Sequence, residues 1–120
     1  MNRQTILIVE DEPLLLEILV SEFQDAGYHV LAAENAGTAL ASIENEAKID
    51  LLFTDIRMPG KMDGWEIARR ARAVRPQLPV IYATGYSAHS PAIVEGALLF
   101  IKPYRVSEIL SAAQALAPAR

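Results

Sequence analysis

The 120-residue chain has no cysteine. That excludes a disulfide framework, a thiolate metal centre and a thiol nucleophile. Long apolar runs are also missing. None approaches the roughly 20 residues of a membrane span, and Ile6–Val9 is too short for the apolar stretch of a signal peptide. There is no excess of positive charge: the net charge is −4 and the isoelectric point about 5.1, which weighs against a general nucleic-acid binder. No internal repeat, linker or low-complexity segment interrupts the chain. Neither a GxSxG nor a P-loop signature occurs, and Asp55-Ile56-Arg57 lacks the second aspartate of the DxD phosphatase pattern, so a hydrolase is disfavoured. What remains is 52% apolar content in a chain the size of one domain, enough for a real core. The expectation is a soluble cytoplasmic domain over residues 1–120.

Apolar runs alternate with helical patterns. Strands are predicted at Thr5–Val9, Tyr28–Ala32, Asp50–Thr54, Pro79–Ala83 and Ala97–Ile101. A helix opens at Pro13, which suits a first turn, and runs over Leu14–Ala26. It presents Leu15, Leu16, Leu19, Val20, Phe23 and Ala26 on one face, and Gly27 stops it. A weaker helix spans Ala36–Ala47, with Ala39, Leu40 and Ile43 inward. "RMPGKMDG" is a loop. Asp63 can cap the next helix, with Glu66 completing a capping box. Ile67, Ala68, Ala71 and Val74 form its apolar face, and Pro76 ends it. The last helix covers Val106–Leu116 through Val106, Ile109, Leu110 and Ala113. The segment 86–96 is poorly built for a helix, because Pro91 removes a donor and leaves room for only a short turn. This alternation predicts an α/β fold: a five-stranded parallel sheet, doubly wound, with helices on both faces. Ligands of such sheets sit at the carboxyl ends of the strands.

That rim collects Glu10 and Asp11, Asp55, Thr84 and Lys102. Each has an ordinary reading alone. Asp11 or Glu12 suits a helix cap, Asp55 and Thr84 suit turns, and Lys102 suits a solvated strand end. Together they suit one site. Crowded like charges repel by roughly 4 kcal/mol at 4 Å in a surface-like dielectric. A hard cation such as Mg²⁺ relieves this with oxygen ligands. A lysine and a hydroxyl orient a phosphoryl oxygen, and one carboxylate can accept the phosphoryl group as a nucleophile. Arg69, Arg70, Arg72 and Arg75 crowd one helix. A nucleic-acid surface is one reading and a solvated face, with Glu66 pairing Arg70, the ordinary one.

"LIVEDEP", "LLFTDIRMPG…MDG", "ATG" and "KPY", in this order, resemble the receiver domain of two-component response regulators over nearly the whole chain. The fold so implied is the flavodoxin-like one. The resemblance makes Asp55 the phosphorylated aspartate, Glu10 and Asp11 the acidic pair that holds Mg²⁺ together with Asp55, and the Arg57 backbone carbonyl a further ligand. Thr84 becomes the hydroxyl that turns toward the phosphoryl group and Lys102 its partner. It implies a cis Lys102-Pro103 bond, catalysis confined to the domain's own phosphorylation and dephosphorylation, and no separate enzyme activity. It also implies a sensor histidine kinase or histidine phosphotransferase as phosphodonor, docking on the first helix near Leu14 and Ile18. A downstream protein of unstated identity would follow, with no direct DNA or membrane binding. No output domain is expected. The alternatives are a pseudo-receiver that binds proteins without taking phosphate, or the receiver part of a hybrid histidine kinase.

Two departures stand out. Lys61 lengthens the loop after Asp55. The place three residues before the lysine, usually aromatic, is Leu99, with Phe100 on the opposite face by strand parity. "VIYATGYS" is similar to the Phe/Tyr-Ala-Thr-Gly motif of a subset of single-domain receivers. Gly85 is expected to leave the approach to Asp55 open, and Arg57 and Tyr86 to tune water attack. A switch that orders residues 86–96 is expected in place of an aromatic rotamer.

Overall fold

The computed structural model describes residues 3–46, 48–56, 63–85 and 94–118. Five parallel strands form one sheet: β1 (Thr5–Val9), β2 (His29–Ala33), β3 (Leu51–Asp55), β4 (Val80–Thr84) and β5 (Leu98–Ile101), in the order β2-β1-β3-β4-β5. Four helices join them among the described residues: α1 (Pro13–Asp25), α2 (Ala36–Asn45), α3 (Gly64–Val74) and α4 (Val106–Leu116). The fold is the doubly wound one that the alternation predicts. Its strand order reverses direction between β1 and β3, which opens a crevice at their carboxyl ends.

The register sorts side chains between two cores. On one face Leu7, Val9, Leu52, Val80 and Tyr82 pack with Ala39 and Ile43 of α2 and Ile67, Ala68 and Ala71 of α3. On the other, Ile6, Ile8, Leu51, Phe53, Ile81 and Ala83 pack with Leu16, Leu19 and Phe23 of α1 and Ile109 and Ala113 of α4. The three central strands are covered on both sides, which is why they read as continuous apolar runs.

Helix ends follow local chemistry. Gly27 takes φ +102°, the left-handed conformation that closes a helix, and its N–H bonds the Gln24 carbonyl. The Asp63 carboxylate accepts the Glu66 N–H at 3.1 Å, as expected of a cap. The other half of the predicted box is replaced: the Glu66 carboxylate holds Arg69 and, at 2.9 Å, Arg70. These bonds bring its pKa down to about 2. Arg72 and Arg75 correct the reading of a solvated face. Arg72 donates to the Leu78 and Glu95 carbonyls, and Arg75 to those of Ile43 and Glu46, closing the end of α2.

Other expectations shift. Val74 is 54% exposed and lies off the apolar face assigned to it, on the last turn of α3. α2 ends at Asn45 because Glu46 is already extended, and Ala47 lies outside the described residues. β2 to β5 each begin one residue later than their apolar runs. The result is that Asp55 and Thr84 are the last strand residues rather than the first loop residues. The Arg57–Met62 loop with Lys61, and residues 86–93 of the segment expected to be irregular, lie outside the described residues.

Tyr28 ties the amino end of β2 to the end of the last helix. Its ring packs edge-on against Phe23, and its buried hydroxyl donates to the Ala117 carbonyl at 2.7 Å. Replacing Tyr28 by Phe leaves that carbonyl unpaired, and about 1–2 kcal/mol of stability is expected to be lost. Urea denaturation measures it; an unshifted midpoint would show the bond contributes nothing.

Candidate functional site

Three residues that continue one face of the sheet meet at its carboxyl edge. The ladder extends past the strand ends: the Glu10 N–H bonds the Ala33 carbonyl and the Lys102 N–H the Thr84 carbonyl. Glu10 therefore follows Ile8, Asp55 follows Phe53 and Lys102 follows Phe100, all on the α1/α4 side. Asp11 begins the turn into α1, whose N-cap is Glu12 with no side-chain cap bond. The acids are thus not spent on capping. Ligand oxygens of Glu10, Asp11 and Asp55 lie within 4.8 Å of one another. These are the residues the rim argument brought together.

Among the described residues, one cation faces them. Lys102 Nζ lies 3.2 Å from Asp55 Oδ2 and 3.6 Å from Glu10 Oε1. Glu10 is fully buried; Oε2 accepts the Glu12 N–H at 3.1 Å, and Oε1 has no hydrogen-bond donor among the described residues. Burial, then the nearby Asp55 and Asp11 carboxylates, raise the Glu10 pKa to about 7 against the opposing pull of the Glu12 N–H and Lys102. Burial alone would lower the Lys102 pKa, but Glu10 and Asp55 outweigh it and hold it above its ordinary value. Among the described residues, three carboxylates against one ammonium leave excess negative charge at an all-oxygen donor set. With a buried carboxylate oxygen that no described donor reaches, this suits a hard divalent cation. Arg57, expected to add its carbonyl, lies outside the described residues, as does Tyr86.

Thr84 is buried at the end of β4, on the opposite face from Asp55. Gly85 is exposed, and a Cβ there would meet no atom of the described residues within 4 Å. The Lys102-Pro103 bond is cis. Leu99 and Phe100 divide as parity requires, Leu99 toward α2 and α3 and Phe100 toward α1 and α4.

The sequence reading passed over three residues. Tyr82, paired in register with Leu99, supplies the aromatic ring on that face. Its ring lies 4.6 Å from that of Trp65, tilted by 57°, and its hydroxyl accepts the Val94 N–H. Tyr82 stands two residues before Thr84, and that spacing was the signal available. Tyr104 sets its ring edge-on to Phe53, with a buried hydroxyl that has no partner among the described residues; burial, then Glu10 and Asp55, push its pKa up. Gly64 lies against the backbone of Asp55. A cavity of about 600 Å³ sits at the opposite edge, between Gln4, Asp50, Pro79 and Leu116, away from these groups. No helix among the described residues is long and apolar enough to cross a membrane.

The sequence model described as the response regulator receiver domain matches residues 6–114. The chain is 41% identical over 83 residues to the response regulator receiver protein CpdR of Brucella abortus strain 2308, covering 69% of this chain and 68% of that one. Other relatives are longer: the chain spans 19% of the Escherichia coli K12 transcriptional regulatory protein GlrR, at 34% identity. A response regulator receiver protein from Sinorhizobium medicae WSM419 superposes with a TM-score of 0.85 at 31% identity, covering 94% of this chain and 93% of that one. TrrA from Thermotoga maritima, solved with Mg²⁺ and BeF, gives 0.79 at 32%, covering 94% and 98%.

Proposed function

The chain belongs to the response regulator receiver domain family, and on that premise we propose that it accepts a phosphoryl group from a phosphohistidine onto Asp55. The observation that carries this reading is the Lys102 ammonium 3.2 Å from the Asp55 carboxylate, beside two further carboxylates. An Asp55 oxygen attacks phosphorus while the phosphorus–nitrogen bond of the donor breaks. Lys102 holds one phosphoryl oxygen, and Thr84 turns to hold another. Glu10, Asp11 and Asp55 would hold Mg²⁺, with the Arg57 carbonyl as a further ligand. When bound, the ion supplies positive charge that offsets the carboxylates and the incoming phosphate. The domain acts only on its own phosphoryl group and is no separate enzyme. Its setting in this reading is cytoplasmic, with a histidine kinase or phosphotransferase before it and a downstream protein after it.

The signal leaves along the face that Thr84 shares with Tyr82. Tyr82 contacts Trp65 on α3 and the Val94 N–H on the way to β5, so a moving Thr84 acts on Tyr82 rather than on an aromatic of β5. Incubation with Mg²⁺ and phosphoramidate, read by intact mass, tests the first step. One added phosphoryl group, lost on chelation of the metal before donor is added, supports it; an unmodified mass under both conditions overturns it.

Leu14 and Ile18 stand 75% and 50% exposed, one turn apart on α1 beside the site. This pair is the proposed kinase contact. Leu14→Arg is expected to slow transfer from the cognate kinase about tenfold more than transfer from phosphoramidate, the loss expected of one central contact. Equal slowing with both donors counts against docking there.

A further inference from the structure

The sheet has an edge that its own sequence leaves unguarded. Among the described residues β2 pairs with β1 alone, in an unbroken register from Thr5 opposite His29 to Val9 opposite Ala33. The His29 N–H bonds the Gln4 carbonyl, and the Ala33 carbonyl accepts the Glu10 N–H, so these residues turn backbone groups toward β1. A strand alternates, and Val30 and Ala32 therefore turn theirs outward. No backbone partner among the described residues meets them there. Edge strands are commonly shielded by a charged side chain, a proline or a bulge. β2, with the sequence HVLAA, has no Lys, Arg, Asp, Glu or Pro and no bulge. Beside this edge a groove of about 370 Å³ lies between α1 and β2. Pro13, Leu16, Val20 and Ala32 supply its apolar lining, and the exposed Glu17 and Glu34 its charge. Val30 packs on the same side of the sheet, so the groove adjoins the open backbone. All of these residues lie within 3–46, which are described without a break.

We infer that the β2 edge and its groove take up an extended, cationic segment of a partner protein, which adds a strand to the sheet beside β2. The charge of the chain selects this occupant. Residues 4–47 hold nine Asp and Glu and no Lys or Arg, whereas the remaining residues hold six acids and eleven Lys and Arg. The added strand bonds Val30 and Ala32 through its backbone, and its alternate side chains enter the groove. An apolar residue sits against Leu16 and Val20, and Lys or Arg on either side of it meets Glu17 and Glu34. A second copy pairing through its own β2 is disfavoured, because it would bring the Glu17 and Glu34 carboxylates of both copies together, and like charges across paired strands destabilise. The surface is separate from the proposed kinase contact. Leu14 and Ile18 lie roughly 100° round α1 from Glu17, Val20 and Gln24. The inference therefore does not depend on Asp55 as phosphoacceptor.

The probe is an acetylated and amidated peptide, Thr-Lys-Thr-Val-Thr-Lys-Thr, which sets Lys, Val and Lys on one face of a strand. It is titrated to millimolar concentration into the isotope-labelled full chain, and amide exchange is read residue by residue. With peptide bound, the Val30 and Ala32 N–H groups are expected to exchange roughly tenfold more slowly, while that of Leu31, which faces β1, changes little. Methylating alternate backbone nitrogens of the peptide should abolish binding in one phase and spare it in the other, because an added strand bonds its neighbour through every second residue. Glu17→Lys combined with Glu34→Lys is expected to weaken binding roughly tenfold, the scale of two exposed ion pairs made repulsive. Its rate with phosphoramidate should stay at the wild-type value, which shows the fold intact. Unchanged exchange of Val30 and Ala32 at the highest peptide concentration overturns the inference. So does equal binding by a peptide with Glu in place of both Lys. Sedimentation of the chain alone tests the other occupant. Ala32→Pro removes only an outward donor, which an edge strand tolerates. A dimer of the wild type that Ala32→Pro dissolves would make a second copy the occupant and overturn the cationic segment.

Discussion

Asp55→Asn is expected to gain no phosphoryl group from phosphoramidate at any time point, while the wild type gains one. Asparagine has the size of aspartate, so the packing of a residue that is 4% exposed at the end of β3 is kept. What changes is chemical. The amide has no anionic oxygen to attack phosphorus, and nucleophile removal typically costs several powers of ten in rate. The Lys102 ammonium also loses one of its two carboxylates and retains Glu10 at 3.6 Å. Intact mass spectrometry with far-ultraviolet circular dichroism as a folding control decides the matter. A folded Asp55→Asn protein that is modified at the wild-type rate would move the acceptor to another residue, and Asp11 would be the first to examine.

The residues of this site were legible because the fold class and the rim rule act together. Three central strands are covered on both faces and read as unbroken apolar runs, so their carboxyl ends are easy to place. Glu10, Asp55 and Lys102 follow at once, and the two-residue period assigns all three to one face. Local pattern also located Gly27 and the cap at Asp63, both of which act within one helical turn. The misreadings lie where a distant partner decides. Arg75 looks like a surface charge until α2 delivers the Ile43 and Glu46 carbonyls to it, 32 and 29 residues away in sequence. Glu66 can complete a capping box or bind Arg69 and Arg70, and side-chain geometry rather than spacing chose the arginines. Val74 has the right spacing for the apolar face of α3, yet it is the last residue of that helix and stays exposed.

Tyr82 shows a different blind spot. Attention to the place three residues before the lysine finds Leu99 and a missing aromatic. The register pairs that leucine with Tyr82 on the neighbouring strand, so the ring on this face comes from β4. The two-residue period puts Tyr82 and Thr84 on one face, but the pairing of β4 with β5 that brings Tyr82 beside Leu99 is a matter of register, which a single sequence states only weakly.

Gly64→Ala is expected to damage both stability and chemistry, and it joins the fold to the site more directly than any other substitution. Gly64 is the first residue of α3, and its N–H donates to the Ile56 carbonyl at 2.8 Å. A Cβ at this position would stand 2.3 Å from the Asp55 carbonyl oxygen and 2.8 Å from the Ile56 Cα. Both are backbone atoms, so no flexible side chain can yield. Either α3 moves out, loosening Ile67, Ala68 and Ala71 from the core, or the end of β3 moves and carries Asp55 with it. Overpacking of this kind costs about 1–3 kcal/mol. A displacement of about 1 Å at a reacting group costs on the order of a hundredfold in rate. The urea midpoint and the phosphoramidate rate are therefore both expected to drop. Gly85→Ala gives the comparison for stability: with no atom of the described residues within 4 Å of its added carbon, its midpoint should stay within about 0.5 kcal/mol of the wild type. If Gly64→Ala unfolds at the wild-type midpoint and is phosphorylated at the wild-type rate, the close approach of α3 to Asp55 does not set the position of the acceptor.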